Sequence, residues 1–300
     1  MSQPLVTNIP VIGITLGDPG GIGPEVVAHA LTRFSPTKAG VRVRVIGRRG
    51  GCRPGKLTKQ SAKQALDALL ESVELLKQNE IHGVVNAPVS KENLAQTGFC
   101  HPGQTEFYAH AFGLKPDGVT MSMQSPRLRI FLVSTHCPLQ EAIARLSIDL
   151  IVLHGERVLG FLKKLGIRRP RIAVCGLNPH AGEQGLFGSE EQEIIRPAIE
   201  RLCHKGVARF QGPCSPDAVF GEALAGKYDA VLCLYHDQGL IPFKLVSFED
   251  GVNLTLGLPF WRSSPDHGTA VAIAGKGKAS CESMLSALEL TAKLLRKRSS

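Results

Sequence analysis

Aromatic side chains are scarce in this 300-residue chain, at 5% of residues with three tyrosines and one tryptophan. The stacking platforms on which nucleic-acid bases rest are therefore few. The eight cysteines, at positions 52, 100, 137, 175, 203, 214, 233 and 281, include no Cys-x-x-Cys pair. That excludes a zinc ribbon and a thioredoxin-type redox motif. A chain of this length builds its own core without disulfide staples, so scattered thiols point to a reducing compartment. No apolar run approaches the roughly 20 residues of a membrane span. The opening residues (MSQPLVTNIPVIGITL) have neither a basic n-region nor a small-residue cleavage site. The chain reads as a cytoplasmic protein with no membrane partner. Acidic residues are missing from Val26 to Leu66, a stretch with ten Lys or Arg that include Arg42, Arg44, Arg48, Arg49 and Arg53. That local excess is as large as the net charge of the whole chain, +9.

Hydrophobic residues are 43% and charged residues 20%, enough to bury one large or two medium α/β domains. The basic balance calls for an anionic partner. With no aromatics interleaved among the arginines, a small anionic substrate is expected and nucleic acid is not. A second basic stretch, from Lys293 to Arg298, follows the last helix, where cations suit the helix dipole.

Periodicity alternates strands with helices. Val11–Leu16, Val41–Ile46, Gly83–Asn86, Leu128–Ser134, Arg171–Cys175 and Ala230–Leu234 read as short buried strands. Gly23–Phe34, opened by Pro24, and Gln60–Gln78 read as helices, as do 150–165, 189–204 and 281–297. This order indicates an α/β fold with a largely parallel sheet.

Gly17-Asp-Pro-Gly-Gly-Ile-Gly-Pro-Glu25 lies between a strand and a helix. It fits either an anion cradle or a tight turn. It lacks the Gly-x-Gly-x-x-Gly spacing of a Rossmann fingerprint. Gly50 to Lys56 satisfies Gly-x-x-x-x-Gly-Lys, but Leu57 stands where a phosphate-binding loop needs Ser or Thr for magnesium. Three histidines are more informative. His136, His180 and His236 each sit just past the C-terminal end of an expected strand, beside a Gly or Pro turn. Ligands bind at that edge of α/β sheets. Three imidazoles there would form an open site for a divalent metal. His29, His82, His110, His154 and His204 fall on helices or helix ends and are read as structural. Lys244, Asn253 and Arg262 follow downstream and suit carboxylate or phosphate groups of a substrate. Asp217 and Asp237 are candidates for ligand, ligand-orienting partner or base.

Five strings taken together resemble the 4-hydroxythreonine-4-phosphate dehydrogenase family. They are GDPGGIGPE (17–25), CGLNPHAGE (175–183), YHDQGLIPFK (235–244), GVNLTLGLPF (251–260) and SPDHGTAVAIAGKGKA (264–279). The resemblance covers most of the chain, with the motifs in the family's order. It implies the isocitrate/isopropylmalate dehydrogenase fold, with two α/β lobes and an active-site cleft between them. The first lobe would comprise 1–105 with 255–300. The second would comprise 106–254, with the metal site and the interface of a homodimer. The implied metal ligands are His136, His180 and His236, holding one divalent cation (zinc, magnesium, cobalt, manganese or nickel). The implied substrate contacts are Gln104, Thr105, Lys244, Asn253 and Arg262. His267, Gly268, Thr269 and Ala270 would bind the NAD adenosine, with NADP left open. Lys244, Asp237 and Asp217 would carry the catalysis.

The implied reaction oxidises 4-phosphooxy-L-threonine at C3 and then decarboxylates it, in pyridoxal 5'-phosphate biosynthesis. Two departures stand out. Gln104 occupies a position that is usually His in the family, and the stretch after Gly47 is shorter than usual. They keep open a related substrate: D-threonate or D-erythronate 4-phosphate, or a terephthalate cis-dihydrodiol.

Overall fold

A computed structural model describes residues 9–297 apart from 49, 205 and 207. Arg49 of the basic stretch and Arg298 of the basic tail lie outside the described residues. Packing divides the chain into two compact units, Met1–Gly103 with Pro259–Ser300, and Gln104–Leu258.

The first unit opens with β1 (Val11–Thr15), α1 (Gly23–Arg33), α2 (Pro36–Ala39) and β2 (Arg42–Ile46). It continues with α3 (Lys59–Lys77), β3 (Gly83–Asn86) and α4 (Lys91–Ala95). The second unit begins with α5 (Gln104–Ala111), β4 (Thr120–Gln124), β5 (Arg129–Leu132), α6 (Leu139–Ala144) and α7 (Ile148–Lys164). Next come β6 (Arg171–Cys175), α8 (Arg196–Cys203), β7 (Arg209–Cys214) and α9 (Val219–Leu224). β8 (Ala230–Cys233), α10 (His236–Ser247) and β9 (Val252–Leu256) complete it. β10 (Trp261–Pro265) and α11 (Glu282–Arg296) return to the first unit.

In the first unit the strands run β2-β1-β3-β10, each pair parallel. β1 and β3 are buried throughout, as expected of strands covered on both faces. β2 lies at the end of this order with Arg42 and Arg44 exposed, and charges of this kind blunt a sheet edge against pairing with other chains. Thr58 and Ser61 cap α3 reciprocally, each side chain bonding the other's backbone N–H. Arg33, Lys38, Lys293, Arg296 and Lys297 line one cavity of about 820 Å³ at the C-terminal ends of α1, α2 and α11. Cations there offset the negative ends of three helix dipoles.

The glycine cluster is a packed turn, with four of its N–H groups committed inside the protein. Asp18 donates to the Pro88 carbonyl, Gly21 to that of Asp18, and Ile22 to that of Thr269. Gly20 donates to the Asp18 carboxylate, which also accepts from Asn93 at 2.8 Å. A Cβ on Gly21 would meet Thr269 at 2.8 Å, so a glycine is needed for this close approach. The segment from Gly50 backs onto the same turn, with Gly55 donating to the Gly20 carbonyl.

In the second unit the order is β9-β4-β5-β8-β6-β7. β5, β8, β6 and β7 are parallel, whereas β4 is antiparallel to both its neighbours, so this sheet is mixed. Ile130, Leu132, Ala173, Cys175, Val231, Cys233, Leu240 and Phe243 form its core beneath α10. Each large aliphatic or aromatic residue here contributes about 1.5–3 kcal/mol by burial. Among the described residues no helix is long and apolar enough to cross a membrane.

Candidate metal and substrate site

β5, β8 and β6 are consecutive in the sheet and parallel, so their C-terminal ends share one edge. His136 follows β5, His236 opens α10 after β8, and His180 follows β6. The topology therefore brings all three to the edge where α/β sheets bind ligands.

The His136 and His236 rings lie 5.6 Å apart between centroids, tilted by 44°. Each is fixed by a carboxylate. His136 Nδ1 donates to Glu106 Oε1 at 2.9 Å, and His236 Nδ1 donates to Asp237 Oδ1 at 2.6 Å. An ionised carboxylate accepts only, so Nδ1 carries a proton, and in the neutral ring the lone pair is then on Nε2. This is the donor arrangement that orients a metal-ligating imidazole and raises its basicity. These residues fit a divalent cation.

His180 is exposed in a left-handed turn, with φ of 51°. Asp217 is held below the usual carboxylate range first by the Ser215 hydroxyl and, more weakly, by His180. Among the described residues of one chain, no three His, Cys, Asp or Glu side chains converge as a metal-holding group. Within one chain the structure brings His136 beside His236, and no metal-holding group that includes His180 forms among the described residues.

The expected substrate residues differ in setting. Gln104 is the first residue of α5 and partly exposed. Thr105 is only 4% exposed and its hydroxyl meets that of Thr255 on β9 at 3.2 Å. Asn253 lies on β9, half-buried. Lys244 is on α10 with its ammonium 5.7 Å from the centre of the Phe248 ring. Arg262, in the first unit, is buried on β10, and its Nε donates to Asn86 Oδ1 at 2.9 Å. Asn86 in turn donates to the Thr15 hydroxyl.

His267–Ala270 forms a ledge anchored from behind. The Thr269 carbonyl takes the Ile22 N–H, and Glu25 on α1 accepts from the Gly275 and Ala279 N–H groups beyond it. Gly268 and Ala270 stay exposed, and a Cβ on Gly268 would meet only open space.

Three residues that shape the edge escaped the sequence reading. Glu106 was visible only as the last letter of Pro102-Gly-Gln-Thr-Glu106. Glu191 carries no motif of its own, and Gln238 sits in the YHDQGLIPFK string without having been singled out; both are seen through the groups they bind.

The family profile described as pyridoxal phosphate biosynthetic protein PdxA matches residues 24–291. A 4-hydroxythreonine-4-phosphate dehydrogenase of Erythrobacter litoralis is 43% identical over 92% of this chain and 94% of its own length. A D-threonate 4-phosphate dehydrogenase of Pectobacterium atrosepticum is 36% identical over 95% of this chain and 99% of its own. The crystal structure of a 4-hydroxythreonine-4-phosphate dehydrogenase from Klebsiella pneumoniae superposes with a TM-score of 0.79 at 34% identity, covering 95% of this chain and 99% of that one. Isocitrate dehydrogenase from Methylococcus capsulatus, at 13% identity and a TM-score of 0.62 over 96% and 88% of the two chains, shares the fold. With its isocitrate dehydrogenase-like architecture and a match over most of its length, this chain belongs to the PdxA family.

Proposed function

We propose that this protein is a dehydrogenase that oxidises 4-phosphooxy-L-threonine at C3 and then releases CO₂ to give 3-amino-2-oxopropyl phosphate, in pyridoxal 5'-phosphate biosynthesis. One observation carries the reading: three histidines at one edge of three adjacent strands, two of them 5.6 Å apart and each tied to a carboxylate. His136, His180 and His236 would hold the cation. When bound, a divalent cation lowers the pKa of the substrate hydroxyl, and NAD accepts the hydride from C3. Glu106 and Asp237 keep Nε2 of their histidines turned outward as a lone pair. Asp237 is engaged with His236, and Asp217 accepts from the Ser215 hydroxyl. Asp237, Asp217 and Lys244 are the three candidates to take the hydroxyl proton, and Asp237→Asn, Asp217→Asn and Lys244→Met compared for loss of kcat distinguish them. The resulting acid has its carboxylate β to a ketone, and loss of CO₂ completes the reaction. Arg262, oriented by Asn86, and Gln104, Lys244 and Asn253 supply donors for phosphate and carboxylate. Thr105, buried against Thr255, sets the seat of α5 from which Gln104 is presented.

A homodimer belongs to the same reading. Ile241 and Leu245 on α10 and Phe248 just past its end are exposed by 61%, 82% and 64%. Apolar faces of that kind mark protein contacts.

NADH formation tests the assignment. Turnover of 4-phosphooxy-L-threonine is expected, abolished by a chelator and restored by added divalent metal; no turnover with metal present contradicts it. Gln104, with its neutral amide at a usually imidazole position, supports a second reading in which D-threonate 4-phosphate is preferred. A higher kcat/KM for that compound would establish it.

A further inference from the structure

Five consecutive residues turn the chain left-handed after Pro179. Their φ values are 51° at His180, 53° at Ala181, 79° at Gly182, 42° at Glu183 and 60° at Gln184. Four of the five carry a Cβ, which crowds the following carbonyl in this region. Such backbone persists only where the surroundings over-determine it, and it concentrates at functional sites.

The Glu191 carboxylate is what constrains it. This side chain is 2% exposed. Its Oε1 accepts from the backbone N–H groups of Leu177 and Asn178, both at 2.7 Å, and its Oε2 accepts from Asn178 Nδ2 at 2.9 Å. On the far side, Oε2 lies 2.7 Å from where a Cβ on Gly182 would stand. The carboxylate is wedged between the approach to the turn and its middle. Gly176 forms the other wall, since a Cβ there would come within 2.8 Å of Ala181 Cα and 3.3 Å of Glu191 Oε1. Burial pushes the Glu191 carboxyl up, but the donors of Asn178 and Leu177 outweigh it and hold the group below the usual carboxylate range.

Glu191 opens a π-helical turn, Glu191–Ile195, which leads into α8; such turns recur at functional sites. Gln238 makes a matching tie. Its Nε2 donates to the Gly176 carbonyl at 2.8 Å and its Oε1 accepts from the Leu234 N–H at 2.7 Å. One side chain thus joins the ends of β6 and β8, two residues from His236.

We propose that Glu191 is a positioning residue of the metal centre: through Leu177, Asn178 and Gly182 it fixes the left-handed turn that carries His180, and so sets the affinity for a divalent cation. This rests on the reading of His180 as a ligand. The test is a titration of the full-length protein with Co²⁺ alone, followed by the cobalt absorption bands, alongside circular dichroism and NAD binding.

Glu191→Gln places an NH₂ group among donors. It is expected to weaken Co²⁺ binding about 10–100-fold, with the fold and NAD affinity retained. Glu191→Asp keeps the charge at shorter reach and is expected to fall between that variant and the unaltered protein. Unchanged Co²⁺ affinity in either folded variant overturns the proposal. So does a loss of affinity that only accompanies loss of folded structure. His180→Ala separates the two layers. If that variant binds Co²⁺ normally, the reading of His180 fails; if it loses Co²⁺ while Glu191→Gln does not, only the role of Glu191 fails.

Discussion

Two pairs, Glu106 with His136 and Asp237 with His236, show how single side chains convert a sheet edge into a donor set. Each carboxylate accepts from Nδ1 and thereby commits Nε2 to the other side of the ring. The choice of residue is equally strict at Gly21, where the backbone passes against Thr269. Gly21→Ala forces a Cβ to within 2.8 Å of both the Thr269 carbonyl and its Cβ. Overpacking of this kind costs about 1–3 kcal/mol, and here it displaces the His267–Ala270 ledge. The expected result is a lower melting temperature and a raised KM for NAD, with Co²⁺ affinity unchanged. A raised Co²⁺ dissociation constant with an unaltered KM for NAD would place the ledge's role elsewhere.

At the scale of elements, β1, β2, β3, β5, β6 and β8 were legible because each is a short apolar or β-branched run with a turn residue nearby. α1, α3, α7 and α11 announced themselves by periodicity and, for α1, by Pro24 in its first turn. β4 was not legible: Thr120-Met-Ser-Met-Gln124 buries Thr120 and Ser122, and the Ser122 hydroxyl is satisfied by the Leu254 carbonyl. β10 hides for a similar reason, since its buried Arg262 and Ser263 depend on Asn86 and Thr291. α10 contains Gly239 and Pro242, which broke the helical pattern although the helix runs through both.

The placement of the three histidines at one sheet edge was legible because each follows a readable strand and lies beside a Gly or Pro turn. Glu191 was illegible because it acts on Leu177 and Asn178, 14 and 13 residues back, and Gln238, though inside the YHDQGLIPFK string, because one of its partners, the Gly176 carbonyl, is 62 residues away.

α7 carries a further consequence. His154 is 2% exposed, its Nδ1 meets the Thr120 hydroxyl at 2.7 Å, and its Nε2 has no hydrogen-bond partner in the structure. Burial, aided by repulsion from Arg157, depresses its pKa from 6.5 to about 3. The unfolded chain takes up a proton below about pH 6.5 that the folded chain refuses until about pH 3. The neutral-state contribution is therefore full above that window and lost as pH falls through it, by about 1.4 kcal/mol per pH unit. Urea denaturation between pH 7 and 4 is expected to show a shallower decline in His154→Gln than in the unaltered protein; parallel declines would contradict this assignment.

For the whole molecule, the exposed apolar face of α10 is the surface on which the proposed homodimer is tested. Leu245→Glu puts a charge on the most exposed apolar position of that face. Analytical ultracentrifugation is expected to find a dimer for the unaltered protein and a monomer for the variant; a dimer in both would move the interface elsewhere. The most direct measurement is anomalous X-ray diffraction at the cobalt edge from crystals grown with Co²⁺. One peak per chain is expected, about 2.0–2.2 Å from Nε2 of His136, His180 and His236, whether those rings come from one subunit or two. A peak held by other residues, or no peak between these imidazoles, would contradict the metal centre and the oxidation built on it.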